Sequence, residues 1–177
     1  MLYIVTALKP EIQAFIDKYK LLKGKCDKFT LFSSRELRVI LSGVGINNAK
    51  EATDALIKNF KPSKDDIFIN IGICGASRKY KIGELIKVGR VIYRDKEHIV
   101  GNNPLCTLTC KDSEASKSLD EIVDMESYGF CEATTYIENR YIYKVVSDHF
   151  EPNIVTKDGT KKLIFDVIEH VIKEVKN

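Results

Sequence analysis

Four apolar runs in this chain end in glycines or acids, and that repeated ending limits the folds open to it. They are residues 2–6 followed by Glu11, residues 37–41 followed by Gly43 and Gly45, residues 66–71 followed by Gly72 and Gly75, and residues 141–146 followed by Ser147 and Asp148. Short runs rich in Ile and Val and bounded by turn residues read as buried strands. Helical spacing lies between them. Ile12, Phe15, Ile16 and Tyr19 recur after Pro10, and residues 49–60 form a pattern stopped by Lys61-Pro62. Residues 126–137 place Phe130, Ala133 and Ile137 on one side. Residues 161–175 turn Leu163, Val167, Ile168, Val171 and Ile172 inward. Residues 29–32 and 37–41 read as paired strands joined through Ser33-Ser34-Arg35-Glu36, and 84–93 and 105–109 as further strands. This alternation predicts an α/β fold: three layers, α/β/α, around a central mixed, largely parallel twisted sheet with helices on both faces. No repeat, low-complexity tract or linker interrupts it, so residues 1–177 are read as one domain.

Composition removes several classes of function. Hydrophobic residues are 44% and charged residues 30%, an ordinary soluble balance. A net charge of +3, evenly spread, does not argue for nucleic acid, and the Lys-rich segments 18–28 and 157–162 are expected to be solvated helix faces. No apolar stretch reaches the roughly 18–20 residues a membrane span needs. The opening Met-Leu-Tyr-Ile-Val lacks a basic n-region and reads as a strand, not a leader. Five cysteines are an odd set, best read as reduced thiols of a cytoplasmic protein. Cys106 and Cys110 have the spacing of half a metal site. No second pair completes it, and no metal or cofactor is expected.

Adjacent strand ends in such a sheet meet at one rim, where ligands bind. Glu11, the Gly43/Gly45 and Gly72/Gly75 turns, Glu126 and Asp148 are therefore candidates for one pocket. A carboxyl held there, away from water, can donate a proton to a leaving group. Each signal also has a purely structural reading. Glu11 can offset a helix dipole, and Gly43-x-Gly45 lacks the third glycine of a dinucleotide turn, with Asn48 in its place. Asp124 and Glu126 can be solvated first-turn acids, Asp148 an N-cap or Asx-turn residue, and His98 and His170 surface residues.

Taken in order, these pieces resemble the nucleoside phosphorylase and nucleosidase superfamily. The group contains purine nucleoside phosphorylases, uridine phosphorylases and methylthioadenosine/S-adenosylhomocysteine nucleosidases. The matching motifs are Thr6-Ala-Leu-Lys-Pro-Glu11, Ser42-Gly-Val-Gly-Ile-Asn-Asn-Ala49, Ile69-Asn-Ile-Gly-Ile-Cys-Gly-Ala76, Ile82-Gly-Glu-Leu-Ile86, Val123-Asp-Met-Glu126 and Val146-Ser-Asp148. The resemblance implies that Asp148 faces N7 of a purine leaving group and that Met125 and Glu126 bind the ribose. It implies that Glu11 activates the attacking water, and that Ile73, Cys74, Gly75 and Ser147 lie beside base and sugar. It further implies a small-molecule nucleoside as ligand and a homo-oligomer, commonly a dimer.

Water is the expected acceptor. Phosphate calls for forked positive donors, and this chain has Asn70 where phosphorylases carry an arginine, Ile73 at the serine, and only Lys9 in the 6–11 loop. The chain is shortened between Ile86 and Val123 relative to the family, where an aromatic that stacks on the base is usual, and Tyr128 and Phe150 are possible replacement walls. Asp124 stands where nucleosidases tend to have Glu. The expected function is hydrolysis of the N-ribosidic bond of a purine nucleoside or related metabolite, of methylthioadenosine, S-adenosylhomocysteine or futalosine type. The alternatives are a phosphate-dependent phosphorylase and a non-catalytic nucleoside-binding protein.

Overall fold

The computed structural model describes residues 1–101, 106–117 and 119–177. Its axis is the long strand β5 (Ile67–Ala76). Along one edge β5 pairs in parallel with β11 (Arg140–Asp148). Along the other it pairs in parallel with β1 (Leu2–Thr6) as far as Asn70, and then antiparallel with β10 (Ile122–Asp124) at Gly75 and Ala76. Among the described residues no strand covers that second edge at 71–74. The sheet opens there.

Outward from β1 lie β4 (Leu37–Leu41, parallel), β3 (Phe29–Ser33) and β2 (Leu22–Cys26), the last two antiparallel. Outward from β10 lie β9 (Thr107–Cys110) and β7 (Arg90–Tyr93), each pairing in parallel with the strand before it, and β8 (Lys96–Ile99) antiparallel. β6 (Leu85–Lys87) covers the free edge of β11. The sheet is mixed: its centre, β4-β1-β5-β11, is parallel, and its margins are hairpins.

Helices α1 (Lys9–Tyr19) and α4 (Lys157–Lys176) cover one face, where Ile12, Phe15, Ile164, Ile168 and Val171 are buried. Helices α2 (Ile46–Phe60) and α3 (Ser127–Ala133) cover the other with Ala52, Leu56 and Phe130. The two-residue period of β1 divides its side chains between the layers, Leu2 and Ile4 to one and Tyr3 and Val5 to the other. α2 and α3 meet at Gly129, where an added Cβ would lie 1.9 Å from the Ile46 carbonyl oxygen. Only glycine lets the two backbones approach so closely.

Several element boundaries differ from the sequence reading, each for a tertiary reason. Residues 22–26 are an edge strand, not a helix face, and Lys23 and Lys25 charge the exposed edge. The 84–93 run splits at Val88-Gly89, where the chain leaves β11 for the β9 side: Val88 N–H donates to Ile142 and Gly89 N–H to Cys106. α3 stops at Ala133, and Arg140 donates to the carbonyls of Cys131 and Thr134 near its end. α4 starts earlier than expected because the Thr156 hydroxyl accepts the Gly159 N–H as an N-cap. The expected 105–109 strand is Thr107–Cys110, and Leu105, like positions 102–104, lies outside the described residues. Among the described residues no helix is long and apolar enough to cross a membrane.

Candidate active site

A cavity of about 250 Å³ opens beside the uncovered edge of β5, lined by Ile73, Cys74 and Gly75. Glu11 reaches it from the first turn of α1. Its Oε2 accepts the N–H groups of Ala7 and Leu8 at 2.9 and 2.8 Å, and its Oε1 accepts the Ile73 N–H at 3.0 Å. Where a strand would have taken the Ile73 amide, a carboxylate takes it. Gly72 makes the approach possible, because a Cβ there would lie 2.8 Å from Glu11 Oε1. Glu11 thus carries both roles read from the sequence: it caps α1, and it lines the cavity.

Glu126 enters from the residue preceding α3. Its Oε1 accepts the N–H of Gly45 at 3.0 Å, which ties the glycine turn after β4 to the mouth of the cavity. Gly43 and Gly45 have φ of +83° and +108°, conformations that side-chain-bearing residues rarely adopt. Asp148 ends β11. Its Oδ2 accepts the Ser147 hydroxyl at 2.7 Å and its Oδ1 the Glu151 N–H at 2.9 Å, which closes a turn and fixes the carboxyl above Gly75. Of the residues proposed from the sequence, Glu11, Ile73, Cys74, Gly75, Met125, Glu126, Ser147 and Asp148 lie in the wall of this one cavity, while Gly43, Gly45 and Gly72 do not line it.

Lys144 and its pairing with Asp124 are the part the sequence reading missed. Lys144 lies inside β11, its side chain 1% exposed, and its Nζ is 2.7 Å from Asp124 Oδ2. The same oxygen accepts the amide and hydroxyl of Ser127. Asp124 is therefore a buried partner of a buried cation, not a solvated first-turn acid. A lysine within an apolar strand was the available signal, since such a charge must find a partner when buried.

The electrostatics follow from burial. Withdrawal from water raises the Glu11 pKa, against the amides of Leu8, Ile73 and Ala7 and the charge of Lys144. Glu126 is pushed up to about 7, first by burial and next by the charge of Asp124, with Lys144 opposing. For Lys144 burial works against the charged form, but Asp124, Glu126 and Glu11 outweigh it and hold its pKa above the ordinary lysine value. The ammonium is the counter-ion of three acids.

The remaining wall was not foreseen. Ala7, Leu8 and Val44 lie at one end, and Pro152 and Val155 follow β11. Ser113, Glu114 and Ala115 come from the segment after β9 and stand in the region where the sequence suggested missing wall. Tyr128 and Phe150 do not line the cavity: Tyr128 packs on Tyr93 and His98 at ring-centroid distances of 4.9 and 5.0 Å. That contact half-buries His98, expected at the surface, whereas His170 is exposed. His149 places Nδ1 3.0 Å from the Ala76 carbonyl, outside the wall.

The fold of this chain is shared with solved nucleosidases. No protein-family model matches the sequence. The chain is 26% identical over 146 residues to the 5′-methylthioadenosine/S-adenosylhomocysteine nucleosidase of Staphylococcus haemolyticus, a match covering 72% of this chain. It spans 60% of the length of that relative. The nucleosidase of the same name from S. pneumoniae, solved with the transition-state inhibitor MT-ImmA, superposes with a TM-score of 0.81 at 14% identity, over 99% of this chain and 98% of the other. The futalosine hydrolase of Helicobacter pylori superposes with a TM-score of 0.78 at 13% identity, over 98% and 97%.

Proposed function

We propose that the protein hydrolyses the N-ribosidic bond of a purine nucleoside or a related metabolite, of methylthioadenosine, S-adenosylhomocysteine or futalosine type. The observation that carries this reading is the convergence of Glu11, Glu126 and Asp148, from three distant parts of the chain, on one cavity. Breaking an N-ribosidic bond builds positive charge on the sugar and negative charge on the departing base. In the reading, Asp148 serves the base as acid, and Met125 and Glu126 hold the ribose. Glu11 orients and deprotonates water, while Ile73, Cys74, Gly75 and Ser147 bound base and sugar. Lys144 lies behind Glu11 and Glu126 and partly offsets the rise in their pKa values that burial causes.

Water is favoured as acceptor by the character of the wall. Five acids line the cavity (Glu11, Glu114, Asp124, Glu126 and Asp148), and no Lys, Arg or His is among its described lining residues. Lys9, the one cation of the 6–11 loop, is exposed and outside the wall. A phosphate ion would meet repulsion, whereas a sugar gaining positive charge meets attraction. The same reading takes residues 1–177 as one domain that acts in the cytoplasm as a homodimer without a cofactor. The test is a screen of purine and pyrimidine nucleosides for base release, with and without phosphate. Free ribose formed in phosphate-free buffer is the expected result. Strict dependence on phosphate would establish a phosphorylase, and purine binding without base release over hours a binding protein.

A further inference from the structure

Four of the five acids in the wall are occupied: Glu11, Asp124, Glu126 and Asp148 each accept hydrogen bonds from the protein. Glu114 differs from them. It lines the cavity from the segment between β9 and β10, is exposed, and has no hydrogen-bond or ion-pair partner among the described residues. Its lining neighbours Ser113 and Ala115 are short and uncharged. A carboxylate is an acceptor only, and an exposed one held by water alone exchanges that water for a ligand's donor, most favourably a charged one.

We infer that Glu114 is a specificity-determining residue, whose carboxylate selects nucleosides presenting an amino or ammonium nitrogen to this wall over matched ligands with a carbonyl or hydroxyl there. This rests on the nucleoside reading of the cavity. The nitrogen has two possible sources, an exocyclic amine on the base or an amine on the 5′ carbon. Both give the same contact, N–H to carboxylate oxygen. A carbonyl at the same place would set two acceptors against each other and leave their pairing to water.

Four nucleosides separate the sources: adenosine, inosine, 5′-amino-5′-deoxyadenosine and 5′-amino-5′-deoxyinosine. The full chain and its Glu114→Ala and Glu114→Gln variants are assayed for base release by kcat/KM, and in parallel for equilibrium binding of each nucleoside and of adenine and hypoxanthine. The expected result is that the wild type favours one nitrogen-bearing series by about twofold to fivefold, the scale of a solvent-exposed charge contact. That preference should collapse toward one in Glu114→Ala and shrink partway in Glu114→Gln. A preference along the adenosine/inosine pair assigns the base amine, and one along the 5′ pair assigns the 5′ nitrogen. Equal handling of all four by the wild type, or a preference that survives Glu114→Ala unchanged, overturns the inference while hydrolysis stands. If no base is released from any nucleoside the hydrolase reading fails, and the binding ratios still decide on Glu114. No binding of any compound overturns both.

Discussion

Asp148 and Glu11 sit in the same wall but differ in what holds them. Asp148 is set by Ser147 and by the turn through Glu151, so Asp148→Asn keeps most of the local geometry while removing the acid. Turnover is expected to fall by about 10²–10⁴ with far-ultraviolet circular dichroism unchanged. Full activity in this variant would remove Asp148 from the chemistry. Glu11→Gln tests the base in the same way, with a further cost to α1 because the three backbone amides lose part of a charged acceptor. Lys144 acts through its neighbours. Replacing it with Met strands Asp124 as an uncompensated buried charge, which should destabilise the protein by about 3–5 kcal/mol in denaturant unfolding. Pairing that change with Asp124→Leu should recover much of the loss, because the penalty belongs to the orphaned charge. At this scale the acids at positions 11, 126 and 148 were legible from their places after apolar runs. Lys144 was not recognised, because its meaning depends on the strand that lies across from it.

At the scale of elements, the cavity exists because β5 outruns β1. β1 stops pairing at Asn70, β10 begins at Gly75, and the interval is left to the first turn of α1. The α2–α3 contact secures the Glu126 side of the cavity, since Gly45 N-caps α2 and binds Glu126 just before α3. Gly129→Ala should therefore cost stability by about 1–3 kcal/mol or more, because its methyl group meets the Ile46 carbonyl within bonding distance. The helices must separate, and nucleoside binding should weaken in parallel with the loss of thermal stability. Binding at wild-type affinity in a folded Gly129→Ala variant would separate the helix contact from the site. The strands and helices themselves were largely readable from periodicity. Their ends were set by partners: Arg140 near the end of α3, Thr156 at the start of α4, and the crossing of the chain at Val88-Gly89.

For the whole molecule, three buried acids around one lysine make both activity and stability depend on pH. If Glu126, pushed up to about 7, binds the ribose as proposed, its ionised form accepts the sugar hydroxyls best, and kcat/KM should rise as pH passes through about 7 and level off above it. Glu126→Gln should abolish that limb of the profile. Stability should run the opposite way. An acid whose pKa is raised in the fold holds its proton more tightly there than in the unfolded chain. Its contribution is therefore fully present below about 4.5 and lost as pH rises through about 7. Thermal unfolding from about pH 5 to about pH 8 should show the wild type losing Tm relative to Glu126→Gln, while Glu11 lowers the Tm of both proteins in the same direction. A constant Tm difference across that range would mean that Glu126 titrates as an ordinary exposed carboxylate.

Local sequence by itself determined the alternation of elements, the division of β1 between two cores and the acids at the strand ends. Those are properties of neighbours along the chain: residue period, turn residues and apolar runs. Tertiary structure alone decided the width of the gap beside β5, the pairing of Lys144 with Asp124 and the arrival of Glu114 in the wall. Each of these is a meeting of residues remote in sequence, and a buried charge takes its energy and its proton affinity from what the fold brings against it.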